Sequence, residues 1–261
     1  MNFLVICLTA FAVSGLTLFS GFGLGTVLMP AFALFFPVPT AIAATAVVHL
    51  ANNLFKVGLV GRYADWRVVS RFGIPAALAA IAGAGLLTLF AHLPVLASYT
   101  FAGQQHEVST VKAVIGVLIA LFAVLEFSPW FARLAIPARL LVLGGLLSGF
   151  FGGLSGNQGA LRSAFLIKAG LSKEAFVGTG TILTVIVDTV RLVVYGLSFY
   201  ASQWAAVKSD VVGLVAAAII SAFLGAYLAS RLLKKVTLRY VQLTVAFVMV
   251  VVGAGLAAGL L

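Results

Sequence analysis

Charge is scarce in this chain. Only 8% of its 261 residues are charged and only six are acidic, whereas 63% are hydrophobic. A soluble domain needs more polar surface than that. Runs of about 20 apolar residues recur from end to end, so the expected fold class is an all-α polytopic membrane protein. An outer-membrane barrel would show alternating segments of about 10 residues, and the runs here are continuous. Cysteine is close to absent as well. Cys7 stands alone, which excludes an intrachain disulfide and a cysteine-based metal site. The N-terminal stretch "MNFLVICLTAFAVSG" lacks a basic leader and reads as a retained membrane segment rather than a cleaved signal.

Gaps in the chemical inventory exclude most catalysis. The three histidines are scattered, and none follows His106. The "GLSG" at 153–156 has the serine pattern of a rhomboid protease, but such an enzyme needs a histidine on a later helix to activate the serine. There is no H-E-x-x-H for a metal hydrolase. There is no Walker A sequence for ATP-driven pumping and no visible soluble domain to hold one. An enzyme is not expected, and neither is a metal or a cofactor.

What the chain does have is positive charge, +10 at neutral pH. It sits in short loops between apolar runs, so it reads as an orienting signal and nucleic acid is not an expected partner. Ten apolar segments can be marked, at 3–20, 25–36, 40–60, 73–91, 111–127, 138–154, 159–170, 174–198, 211–230 and 238–260. The second and seventh are too short to cross about 30 Å of hydrocarbon at about 1.5 Å per residue. Each follows a glycine-rich break, "SGFGLGT" at 20–26 and "GLSGNQGA" at 153–160. With the segment before it, each forms a broken hairpin, either re-entrant or crossing twice. One side of the membrane then collects Arg62, Arg67, Arg71, Arg133, Arg139, Lys168 and Lys173, together with the cluster Arg231, Lys234, Lys235 and Arg239. The other side carries Lys112 and Lys208. The positive-inside rule makes the first side cytoplasmic, in a multi-pass protein of the plasma (inner) membrane with both termini on the non-cytoplasmic side. The longest loop, 91–110, is the only candidate for an ordered element outside the bilayer.

The halves 1–127 and 128–261 resemble each other. Displaced by the spacing between Ser20 and Ser155, Gly21 falls on Gly156, Asn53 on Asp188, Lys56 on Arg191 and Gly61 on Gly196. Each half is a broken hairpin plus three full spans, and an odd number of full spans inverts the second half. Inverted repeats mark many secondary transporters, which hold substrate near the midplane where interrupted helices meet.

Two segments carry polar stripes at three- and four-residue steps. One has Thr45, His49, Asn52, Asn53 and Lys56; its counterpart has Thr181, Thr184, Asp188, Arg191 and Tyr195. Lipid penalises both, so they should face the protein interior or a wet cavity. Each residue also has a plainer reading. Asp188 and Arg191 are one turn apart and could neutralise each other. Lys56 could snorkel to the membrane surface. His49, Asn52 and Asn53 could bond neighbouring helices. Arg162 has no acid close before it in sequence, and a buried arginine calls for an anion. The glycine breaks could serve close packing alone. A break followed by a short helix also presents unpaired amides and a positive dipole end. Two such ends facing each other make an anion site, to which Ser20, Ser155, Asn157 and Gln158 add donors. The arrangement is rich in donors and poor in acids, so a small anion is the expected substrate.

The motif "SGFGLGTVLMPAF" resembles the glycine-rich, proline-terminated first motif of the TauE/SafE sulfite exporter family. The stretch running from "GLSGNQGALRSAFLIKAG" to "VDTVRLVVYG" is similar to the second-half motif of one branch of it. In the first motif Phe22 and Leu24 interrupt the family's run of glycines. The resemblance covers nearly the whole chain. It implies transport of small sulfur-containing anions such as sulfite or organosulfonates, along a path carried by the glycine-rich turns and the polar residues after them. The expected substrate-binding set is Ser20, Gly21, Gly23, Gly25, Asn52, Asn53, Lys56, Ser155, Gly156, Asn157, Gln158, Arg162, Asp188 and Arg191. Lys56 and Arg191 would draw the anion along the path from either face, and Asp188 or His49 could couple transport to protons. The alternative is a selective small-anion channel, whose sequence would look nearly the same. A membrane scaffold would need no charged interior. Oligomeric state is not written in the sequence.

Overall fold

The computed structural model describes residues 2–20, 24–101, 103–128, 130, 134, 136–197, 209–232 and 238–260. The first half runs α1 (Asn2–Ser20), α2 (Leu24–Ala33), α3 (Val38–Val60), α4 (Trp66–Ala91), β1 (Val95–Phe101), β2 (Gln104–Ser109) and α5 (Thr110–Phe127). The second half contributes α6 (Leu141–Ser155), α7 (Gly159–Leu166), α8 (Lys173–Tyr195), α9 (Ser209–Leu232) and α10 (Leu238–Ala257). Among the described residues five helices are long and apolar enough to cross a membrane, within 38–63, 66–91, 138–155, 173–195 and 211–228. The short helices α2 and α7 have 10 and 8 residues. They are about 15 and 12 Å long and cannot span the hydrocarbon.

Local chemistry sets the boundaries. Asp65 caps α4, its carboxylate accepting from the amides of Arg67 at 2.9 Å and Val68 at 3.0 Å. The helix therefore starts at Trp66, seven residues before the expected segment at 73–91, and Arg67 and Arg71 lie in its first turns rather than in a loop. Ser172 caps α8 in the same way, accepting from Ala175 N. The 91–110 connection is ordered as a β-hairpin, the one departure from an all-helical chain among the described residues. Gly103, at φ +77°, supplies its left-handed turn residue. The hairpin is fastened to the far end of the chain by Tyr99, whose hydroxyl donates to Ala258 O at 2.7 Å.

The most extensive helix pairings join the two halves: α4 with α6, α1 with α9, α5 with α10, α4 with α8 and α3 with α8. Small residues make this possible. Gly145, Gly149 and Gly153 form a stripe on α6 that lies against the carbonyls of Phe72, Ala76 and Ala80 on α4, a matched four-residue repeat on both helices. A Cβ on Gly149 would lie 2.0 Å from Ala76 O, so the two backbones touch where a side chain would stand. Gly149→Ala should therefore cost about 1–3 kcal/mol through overpacking. Gly58→Ala, at a position open on all sides, should be neutral. Comparing the thermal midpoints of the purified variants checks this pair.

Candidate functional site

α3 and α8 pack on each other and turn their polar stripes inward. Thr45, Asn52, Asn53 and Lys56 are buried on α3, and Thr181, Thr184, Asp188, Arg191 and Tyr195 on α8. Helical spacing aligns each set on one face, and burial of that face takes it out of lipid. Along the helix axes the polar residues separate into two clusters.

The first cluster is a cleft near the Val60 end of α3. Asn53 and Lys56 line it from α3, Arg162 and Ser163 from α7, and Thr181 and Thr184 from α8, with Leu59, Val60 and Phe176 among its apolar walls. Arg162 donates to the Thr184 hydroxyl. That hydroxyl donates in turn to Gly180 O at 2.9 Å. Lys56 and Arg162 are 7% and 5% exposed, so both cations sit well inside the protein. The described lining holds two cations, several neutral polar side chains and no acidic residue. Its free space is about 30 Å³, room for about two waters.

The second cluster is a closed network further along the same helices. Asp188 is fully buried and is shared by two bases. His49 Nδ1 lies 2.6 Å from Asp188 Oδ2, and Arg191 Nη2 lies 2.8 Å from Asp188 Oδ1. The Arg191 contact is an ion pair rather than a well-directed hydrogen bond, since neither Nη2 nor Nε meets hydrogen-bond geometry with any group. Arg191 Nη1 donates to Gly152 O at 3.5 Å, and the Tyr195 hydroxyl donates to Gly153 O. Thus α8 grips the last turn of α6. The break after that turn packs against the same network. Gly156 has φ +83° and ends α6, its amide donating to Gly152 O. Gln158 Nε2 reaches Asp188 Oδ1 at 3.5 Å, and Gln158 O accepts from Ser148 Oγ at 3.1 Å. A Cβ on Gly156 would lie 2.6 Å from Arg191 Nη1. Gly156→Ala should therefore destabilise by more than about 1 kcal/mol, from left-handed strain and displacement of Arg191 together. Thermal denaturation of the purified protein measures it.

The structure thus divides the expected site residues. It brings Asn53, Lys56 and Arg162 into one cleft. It gathers Gly156, Gln158, Asp188 and Arg191 around the closed network, with Ser155 and Asn157 in the adjoining break. Arg191, 1% exposed, does not line the cleft, and Lys56 points into the cleft beside Arg162. Asn52 accepts from the Ser14 hydroxyl of α1 at 2.9 Å, a partner that no sequence pattern announced. Ser20 closes α1 and Gly25 lies in α2, while Gly21 and Gly23 fall outside the described residues. Thr181, Thr184 and Ser163 were missing from the expected set. The threonines were legible as members of the α8 stripe, and Ser163 only as the neighbour of Arg162. Among the described residues no three His, Cys, Asp or Glu side chains come together to hold a metal.

Helices long enough to span, two that are too short, and a buried cationic cleft where the halves meet define an integral multi-pass membrane protein built for moving a polar solute. Residues 6–256 match the family described as Sulfite exporter TauE/SafE, and the chain belongs to that family of membrane transporters. No curated protein and no solved structure matches it.

Proposed function

We propose that this protein is a secondary transporter that carries a small sulfur-containing anion, such as sulfite or an organosulfonate, through the cleft between α3, α7 and α8. One observation carries the reading: Lys56 from the first half and Arg162 from the second line a single buried cleft with no acidic residue in its described lining. Two cations in a low-dielectric interior are costly, and an oxyanion between them offsets that cost. Sulfur–oxygen acceptors suit the guanidinium fork, and Asn53 and Ser163 add neutral donors. The break is the next station. Asn157 Nδ2 and Arg191 Nε are buried donors without a hydrogen-bond partner, and they lie in and against the turn that ends α6. Ser20, Gly21, Gly23 and Gly25 hold the corresponding positions in the sequence of the first half.

The helix pairings support an inverted repeat. Under the sequence correspondence of the halves, α4 packing on α6 is the counterpart of α9 packing on α1, and α3–α8 and α5–α10 are each their own counterparts. Gly116 and Gly253 behave accordingly, each lying against the other's carbonyl. On this reading the open end of the cleft is cytoplasmic and both termini are outside. The network at Asp188 fills the interior beyond the cleft, which favours a carrier with alternating access over an open channel.

The test is flux of sulfite, taurine and sulfoacetate into proteoliposomes. The expected result is saturable uptake of at least one of them without measurable conductance. Uptake of all three that is unchanged when Lys56 and Arg162 are both made alanine would refute the reading.

A further inference from the structure

We infer that His49 is a proton-binding site coupled to the anion cleft, so that the transporter takes up a proton together with its anion. The inference rests on the proposed function of the cleft and adds the coupling ion. Three observations carry it. First, the carboxylate of Asp188 is shared between one permanent cation, Arg191, and one titratable base, His49. With a neutral imidazole the trio is electrically balanced; with an imidazolium it carries one net positive charge. His49 donates from Nδ1–H to Asp188 in both states, so the proton that comes and goes is the one on Nε2. Second, His49 is the least enclosed of the three. Its side chain is 13% exposed, against 0% for Asp188 and 1% for Arg191. Third, His49 is next to the cleft. It lies one turn from Asn53, which lines the cleft and donates from Nδ2 to His49 O at 2.8 Å.

Among the described residues, the elements packed on α3 bring few other ionisable groups. The elements packed on α3 are α8, α2, α9, and more lightly α4 and α5. α8 brings Asp188, Arg191 and the Tyr195 hydroxyl. α2 has no ionisable residue, and α1, reached through Ser14, has only Cys7. On α9 Asp210, Tyr227 and Arg231 lie toward the ends. On α4 Arg67 and Arg71 lie in the first turns, and on α5 Lys112 and Glu126 are terminal. Among the described residues, the buried charges on the polar faces of α3, α7 and α8 are Asp188, Arg191, Lys56 and Arg162.

Coupling follows from Coulomb's law. An anion between Lys56 and Arg162 sits about 10 Å from the imidazole, given about 1.5 Å of rise per residue along α3. At that distance and an effective dielectric constant near 20, its charge favours the imidazolium by about tenfold. Linkage makes the effect reciprocal, so protonated His49 tightens anion binding by the same factor.

Titration calorimetry of the purified full-length protein tests this with sulfate and sulfoacetate, both fully ionised from about pH 6 to about pH 8. Repeating each titration in buffers of different ionisation heat counts the protons taken up. The wild type should take up a fraction of a proton per anion, and its Kd should rise about tenfold across that range. In His49→Gln both effects should vanish. A chain with His92→Gln and His106→Gln, whose only histidine is His49, should keep them; both sites lie outside the membrane-spanning helices, so this variant guards against a misfolded His49 mutant. Binding heat without proton uptake in the wild type overturns the assignment of His49 and leaves the cleft standing. Persistent pH dependence in a folded His49→Gln protein overturns it too, and points to Lys56. Absence of heat with every anion, sulfite included, overturns the reading of the cleft itself.

Discussion

If the cleft carries the anion as proposed, Arg162→Ala should reduce its transport by roughly 30-fold to several thousandfold, the range expected when one partner of a buried charged contact worth about 2–5 kcal/mol is removed. The variant should still accumulate and purify. The described hydrogen bond of Arg162 goes to a neutral hydroxyl, that of Thr184, so losing that bond strands no charge there. Arg162→Lys keeps the charge but loses the planar fork that can meet two oxyanion oxygens at once, so on the same proposal it should recover part of the activity only. Proteoliposome flux with both variants, alongside their thermal midpoints, separates lost substrate contact from lost fold. Wild-type flux in Arg162→Ala would remove the residue from the path.

Asp188→Ala has the opposite profile. It should prevent accumulation of folded protein, because it leaves the guanidinium of Arg191 and a histidine buried without their shared counter-ion. Breaking a buried pair in this way costs about 3–5 kcal/mol, a large share of the stability of most folded proteins. The double variant Asp188→Leu with Arg191→Leu removes both charges and should regain most of the accumulation while remaining inactive. If Asp188→Ala alone is as abundant and as heat-stable as the wild type, the network is not what holds α3, α8 and the α6 break together. Detergent-extracted yield and thermal unfolding of the three proteins decide it.

Much of this was readable from the sequence, for identifiable reasons. The two short helices follow from their glycine breaks, because length against bilayer thickness is a one-dimensional quantity. The buried stripes on α3 and α8 follow from spacing, since lipid leaves polar residues at three- and four-residue steps nowhere else to point. The plain pairing of Asp188 with Arg191 was visible in the same way. What the stripes could not disclose was how far each helix slides along the other. That offset places Lys56 beside Arg162 and His49 beside Asp188, and it depends on contacts between residues more than a hundred positions apart. The same limit hid the bond from Ser14 to Asn52. The start of α4 was misplaced for a different reason. Arg67 and Arg71 looked like loop residues to a reading based on hydropathy, whereas a single aspartate cap carries the helix out to Trp66. The hairpin at 95–109 went unrecognised as β structure because its strands are exposed and do not alternate cleanly.

The cross-pairing of the halves has a consequence for how the protein is made. A ribosome delivers α1 long before α9, and α4 well before the glycine face of α6. Until then Ser14, Asn52 and Lys56 have entered the membrane without the second half that shields them. Nascent chains cut short after residue 127 should therefore be held by the insertion machinery or degraded, whereas the two halves supplied as separate chains in one cell should find each other.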